Sequence, residues 1–295
     1  MIDLHMHTTY SDGTDSLKEL LLNAEKNKLE IISITDHNNC NSYFEMEKIN
    51  IKDYFSGNII VGCEFTTSFN GQLIEVLGYG IDYKIVDKYM KDFYNSKKIK
   101  ESDEIIFNNF LEKIEKLGLK YDLDEIMKNK HKNIFKERAI TLELFNYDEN
   151  KIILKEDIWN NYSDFYRKGL TNPKSKIFLN YIDFQPSLKE IINLIHSAGG
   201  KAFLAHPYQY KLNNTNEFLE NLFSEYNLDG IECLYTTFSN KETENLLNVA
   251  KSNNLLVSGG SDYHAKNKTN HNLGVGAGNL KIEKSIINNW DIRFL

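Results

Sequence analysis

Two histidines spaced two residues apart, His5 and His7, stand close to an aspartate, Asp12, in the stretch Met1-Ile2-Asp3-Leu4-His5-Met6-His7-Thr8-Thr9-Tyr10-Ser11-Asp12-Gly13. Alternate side chains of a strand share a face, so the two imidazoles would stand side by side and suit a first-row transition metal. A His-x-His pair alone is equally a core or a surface feature. Here further candidates fall where other short apolar runs end: Asp36 and His37, Glu64, His206, and Asp262 with His264. Imidazole and carboxylate donors brought together from five strand ends point to a centre for borderline divalent cations.

The elements that must position these residues follow a β–α rhythm. Ser16-Leu17-Lys18-Glu19 reads as a capping box opening a helix to about Lys28, with Leu17, Leu20, Leu21 and Ala24 as its apolar face. Strands are expected at Glu30 to Ile34, Asn58 to Glu64 and Gln72 to Tyr79, with a helix from about Ser42 to Ile49. The last two strands are expected to pair across a turn at Asn70-Gly71. From about Ile85 to Tyr181 the rhythm lapses into helical patterns, clearest at Ile105 to Leu117, and polar Asn/Lys-rich loops. It resumes with Pro186 in a first helical turn and a helix to Ala198 that stops at Gly199-Gly200. Strands at Lys201 to Ala205, Gly230 to Glu232 and Leu255 to Ser258 then alternate with helices near Asn216 to Tyr226 and Lys241 to Asn253. Such alternation implies parallel strands with crossover helices. In a β/α barrel the strand ends share the face where loops build the site.

Length and composition agree with one large domain, or a domain carrying an insertion: 295 residues, 41% hydrophobic and 26% charged. No apolar run approaches the roughly 18 residues of a membrane span, and the first residues carry neither the basic nor the apolar region of a secretory leader. Three cysteines (Cys40, Cys63, Cys233) with no CxxC fit a reducing, cytoplasmic setting better than a disulfide framework. The net charge of −7, without a Lys/Arg block, argues against an extended nucleic-acid surface but leaves room for action on a nucleic-acid end. Oligomeric state is not legible.

His5-x-His7, Ser11-Asp12-Gly13, Thr35-Asp36-His37, Gly62-x-Glu64, Ala205-His206-Pro207 and Ser261-Asp262-x-His264 together resemble the PHP (polymerase and histidinol phosphatase) superfamily. They resemble most its stand-alone phosphoesterases, which act on nucleoside 3′,5′-bisphosphates or trim RNA from the 5′ end. The resemblance implies a distorted (β/α)7 TIM-like barrel with a helical insertion. The barrel parts would be residues 1–84 and 182–295, with 85–181 as the arm. It implies two or three divalent ions (Mn, Fe or Zn): one on His5, His7, Glu64 and Asp262, a second bridged by Glu64 and taking His206, and a third on Asp12, His37 and His264.

Two positions depart from the family pattern. Glu75 stands where a histidine usually precedes Leu-Gly-Tyr, and Phe135 stands for another usual histidine in Asn133-Ile134-Phe135-Lys136-Glu137-Arg138. Glu75 can ligate in place of histidine and Phe135 cannot, so the second ion is completed by Glu75, by His131, or left weak or absent. Asp36 is expected to orient a ligand or relay a proton, or simply to be satisfied in its turn. Arg138 offers a bidentate fork for a substrate phosphate, with Tyr208 and His271 as further substrate contacts. Tyr10 would line the pocket, and His196 reads as a helix-face residue. The expected activity is hydrolysis of a phosphate monoester of a small nucleotide by metal-activated water. The alternatives are a histidinol-phosphate phosphatase, a 5′-3′ exonuclease on short RNA, and a metal-binding module without catalysis.

Overall fold

The computed structural model describes residues 1–132, 136–155 and 157–295. Packing divides the chain into two compact units, Met1–Lys91 with Pro186–Leu295, and Asp92–Gln185. The rhythm lapses where expected, but residue 85 falls inside a helix, Tyr83–Asn95, because its apolar face continues through Val86 and Met90.

The first unit holds eight strands. Three short ones, β1 (Ile2–Asp3), β2 (Ile31–Ile32) and β3 (Asn58–Ile59), form a parallel sheet in that order. Five more form a second sheet: β4 (Gly62–Phe69), β5 (Gln72–Tyr79), β6 (Lys201–Leu204), β7 (Gly230–Tyr235) and β8 (Leu256–Gly260). β4 and β5 make an antiparallel hairpin across Asn70-Gly71, and β5–β6 is antiparallel, while β6–β7 and β7–β8 are parallel. Two isolated parallel bridges link the sheets, one between Met6 and Tyr263 and another between His37 and Glu64 of β4. The run expected as one strand from Asn58 to Glu64 is therefore broken. At Gly62, whose N–H donates to the Tyr43 hydroxyl at 2.8 Å, the chain leaves one sheet for the other. A side chain there would meet Ser33 Oγ at 2.3 Å.

Helices follow the local signals. Ser16 and Ser187 each cap a helix (Leu17–Lys26 and Leu188–Ser197) with a reciprocal capping box to Glu19 and Glu190. The second box displaces the expected role of Pro186, which precedes the cap instead of entering the first turn. The core beneath the site is continuous: Ile2, Leu4, Ile31, Ile60, Leu77, Tyr79, Phe203 and Trp290 are buried together. The Phe203 and Trp290 rings are 4.5 Å apart. The second unit is helical, with Lys97–Lys116, Leu123–Asn129 and Glu137–Leu144 enclosing Phe107, Phe110, Ile114, Ile126, Ile140 and Leu144.

Candidate metal centre

Each strand of the first unit except β3 sends a polar side chain to one place. His5 and His7 follow β1, His37 follows β2, His206 follows β6, and Asp262 and His264 follow β8. Glu64 and Glu75 lie within the hairpin strands, because β4 runs five residues past Glu64. In the hairpin register Glu64 faces Leu77 and Thr66 faces Glu75, so the two glutamates are diagonal neighbours on one face. Close approach of β1 to β8 depends on Gly260, where a Cβ would stand 2.3 Å from His5 Cβ. His206 and Asp262 hold φ values of 23° and 50°, a strain of the kind retained where side-chain direction matters more than backbone ease.

Glu64 is the centre of the group. Its Oε2 lies 3.2 Å from His5 Nε2, His7 Nε2 and His37 Nδ1, and its Oε1 lies 2.9 Å from His206 Nε2. Asp262 Oδ1 is 3.6, 3.4 and 3.3 Å from His5 Nε2, His7 Nε2 and His264 Nδ1. Asp12 Oδ1 is 2.9 Å from His264 Nε2 and 3.6 Å from His37 Nε2. Glu75 reaches His37 Nδ1 at 3.7 Å and His206 Nε2 at 3.3 Å. Among the described residues four sets have donor atoms within 4.8 Å of one another: His5, His7 and Glu64; His7, Asp12, His37 and His264; His5, His206 and Glu232; and His37, Glu64 and Glu75.

The donors fit divalent cations. His5 Nε2, His7 Nε2, His37 Nδ1, His264 Nε2 and Asp12 Oδ1 are buried without a hydrogen-bond partner, a costly arrangement unless an ion satisfies them. Asp12, Glu64, Glu75, Glu232 and Asp262 carry five negative charges against the single ammonium of Lys268, leaving four to be compensated when the histidines are neutral. In the protein alone, protons take up part of that charge. Burial opposes protonation of His5, yet Glu64, Glu232 and Asp262 outweigh it and raise its pKa well above the ordinary value. Burial likewise opposes protonation of His7, but Asp262 and Glu64 lift its pKa to about 9. Burial works against ionisation of Glu64, Asp262 and Asp12 too; the histidines around them, with Lys268 beside Asp262, still hold all three well below the carboxylate range. Burial, His7 and Lys268 push His264 down to about 3.

Neighbouring groups orient the donors. Asp36 is buried and accepts from Thr8 N–H and Oγ1 at 2.8 Å and from Ser11 Oγ at 2.7 Å. Ser11 Oγ in turn lies 3.3 Å from His7 Nδ1. Both oxygens of Asp36 thus hold the first loop, and one of them reaches toward His7 through Ser11. Glu232, on β7, was not singled out in the sequence. Its Oε1 is 3.0 Å from His5 Nδ1 and its Oε2 accepts the His206 N–H at 2.8 Å, fixing a ring and a strained backbone together. The signal available was a lone carboxylate inside an apolar strand. Tyr235 and Lys268, likewise unanticipated, both donate to Asp262 Oδ2.

The other expected residues have the following neighbours. Arg138, in the second unit, stacks its guanidinium on the Tyr162 ring at 4.5 Å. His131 belongs to the same unit, exposed in the short turn Lys130–Lys132. Phe135 lies outside the described residues. Tyr208 accepts from Asn245 and packs on Phe238. His271 Nδ1 meets the Ser261 carbonyl at 2.8 Å, which ties it to the loop carrying Asp262. Tyr10 donates to Glu45, and His196 pairs with Asp229 at 2.7 Å.

The sequence and fold match known proteins. The PHP domain family model matches residues 3–241. A 5′-3′ exoribonuclease, Rnm, of Escherichia coli is 26% identical over 266 residues, covering 89% of this chain and 84% of that protein. Two solved structures share the fold. A protein described as a metal-dependent phosphoesterase from Bifidobacterium adolescentis has a TM-score of 0.68 at 22% identity, over 98% of this chain and 94% of that one. An amidohydrolase from Chromobacterium violaceum has a TM-score of 0.69 at 21% identity, over 92% and 89%.

Proposed function

From the premise that this chain belongs to the PHP domain family, and is with it a metal-dependent phosphoesterase acting on phosphate esters, we propose that its substrate is a phosphate monoester of a small nucleotide, such as a nucleoside 3′,5′-bisphosphate. The observation that carries the reading is Glu64, a buried carboxylate within 3.2 Å of ring nitrogens of His5, His7, His37 and His206. His5, His7, Glu64 and Asp262 would hold one cation, Glu64, Glu75 and His206 a second, and Asp12, His37 and His264 a third, with manganese, iron or zinc suited to the donor mixture. Bound there, such cations lower the pKa of water and stabilise charge on phosphoryl oxygens.

The chain's own groups prepare that chemistry. Glu232 presents His5 Nε2 by holding its Nδ1, and Asp36 presents His7 through Ser11. Asp12, His37 and Glu75 are the donors with access to solvent, their side chains 37%, 19% and 18% exposed, so substrate enters on their side. The two inter-sheet bridges support reading the first unit as a distorted barrel, β1 meeting β8 through Met6–Tyr263 and β2 meeting β4 through His37–Glu64. The relative named as an exoribonuclease supports a second reading, removal of 5′ nucleotides from short RNA. The net charge of −7 weighs against a long RNA track.

Manganese-dependent phosphate release should be compared on 3′-phosphoadenosine 5′-phosphate, histidinol phosphate and a 5′-phosphorylated tetranucleotide, with Glu64→Gln as control. The proposal expects turnover of the bisphosphate at least about tenfold above the others in kcat/KM, a difference of about 1.4 kcal/mol, and its abolition in Glu64→Gln. Preference for the tetranucleotide with nucleotide release would replace it with the exonuclease reading.

A further inference from the structure

Asp262 divides its two oxygens between two tasks. Oδ1 faces the ring nitrogens of His5, His7 and His264, whereas Oδ2 accepts from the Tyr235 hydroxyl and from Lys268 Nζ, each at 2.5 Å. The Lys268 side chain is only 14% exposed, so its ammonium is held at the centre rather than in water. Its loop is pinned from several sides. The His271 N–H donates to the Lys268 carbonyl, Asn267 Nδ2 to the Asp12 carbonyl, and the Lys266 N–H to Thr14 Oγ1. A chain that needed only to orient Asp262 already has Tyr235 for that. A fixed cation beside a cation site opposes binding, and its placement calls for another reason.

We infer that Lys268 is a positioning residue of the metal centre: its ammonium fixes the outer oxygen of Asp262 and draws charge from it, so that the cations are held less tightly and remain more electrophilic than the other donors alone would leave them. The inference rests on reading this site as the metal centre of the phosphoesterase. It separates two effects that a structural role would not separate. Loss of the ammonium removes repulsion and strengthens metal binding, while a group needed only for packing weakens it when lost. Because Asp262 then donates its full charge, activation of water requires higher pH.

The test uses metal-stripped full-length protein, with Mn titrated calorimetrically into wild type, Lys268→Met and Lys268→Arg, alongside pH–rate profiles for phosphate release. Lys268→Met should bind Mn more tightly by a factor of about three or more, as expected for removing a unit charge a few ångströms from a dication. Its acidic limb should move to higher pH, and Lys268→Arg should restore both properties. Unchanged or weaker binding in Lys268→Met, or a rise in KM alone at wild-type Mn affinity, overturns the role of Lys268 while leaving the site reading intact. A wild-type chain that binds no Mn overturns both.

Discussion

Protons and metal ions compete for the same nitrogens at this site. Carboxylates raise the pKa of His7 from the ordinary 6.5 to about 9 against the effect of burial, and that of His5 well above its ordinary value. A folded-state pKa above the unfolded one means that the His7 contribution to stability is full below about 6.5 and is lost as pH rises through about 9. Glu64 and Asp262, whose pKa values are depressed, contribute above the ordinary carboxylate range and lose that contribution on acidification. A metal needs the imidazoles neutral, so binding between pH 6 and 8 must expel protons. Calorimetric titration with Mn in two buffers of different ionisation enthalpy should therefore show release of at least one proton per chain, with apparent affinity increasing toward pH 9. Binding without proton release in that range would remove His5 and His7 from the ligand set.

At the scale of elements, the site depends on β1 and β8 being held together, and Asp3 does much of that holding. It is fully buried and accepts from Ser261 N–H at 3.0 Å, Ser261 Oγ at 2.6 Å, Gly274 N–H at 2.7 Å and His5 N–H at 3.3 Å. Asp3→Asn turns one acceptor into a donor facing donors, so it should cost about 1–3 kcal/mol, read as a lower midpoint in denaturant, and should reduce metal content because His5 and Asp262 flank the contact. Stability and metal content both at wild-type level would contradict this. The same element explains what was readable beforehand. His5, His7, His37, His206, Asp262 and His264 follow short apolar runs, and that break in pattern is local. Glu232 and Lys268 carry no such mark. One is a single carboxylate inside an apolar strand, with nothing local to say that it meets His5 and His206, and the other sits in an Asn/Lys-rich loop whose shape is imposed by Asp12, Thr14 and Asp262 from elsewhere in the chain. The break at Gly62 was hidden for a related reason, since only the Tyr43 hydroxyl and Ser33, brought by other elements, reveal why the chain turns there.

At the scale of the whole molecule, the site's donors span positions 5 to 264, yet all belong to the unit Met1–Lys91 with Pro186–Leu295. A ligand that binds only the folded form stabilises what it ties together, by about 2.7 kcal/mol at a hundredfold excess over its Kd. Chelation should therefore destabilise this unit in particular. The unit Asp92–Gln185 has an apolar core of its own around Phe107, Phe110, Phe165 and Leu170, and none of the grouped donors lies in it. Hydrogen exchange of the Mn-loaded protein before and after EDTA should show lost protection in β4, β5, β6 and β8, while amides of the helix Lys97–Lys116 keep theirs. Equal loss in that helix would mean that the two units unfold as one cooperative body. Protection unchanged throughout would mean that the donors around Glu64 contribute no metal-linked stability, and the four uncompensated charges would then need another counter-charge.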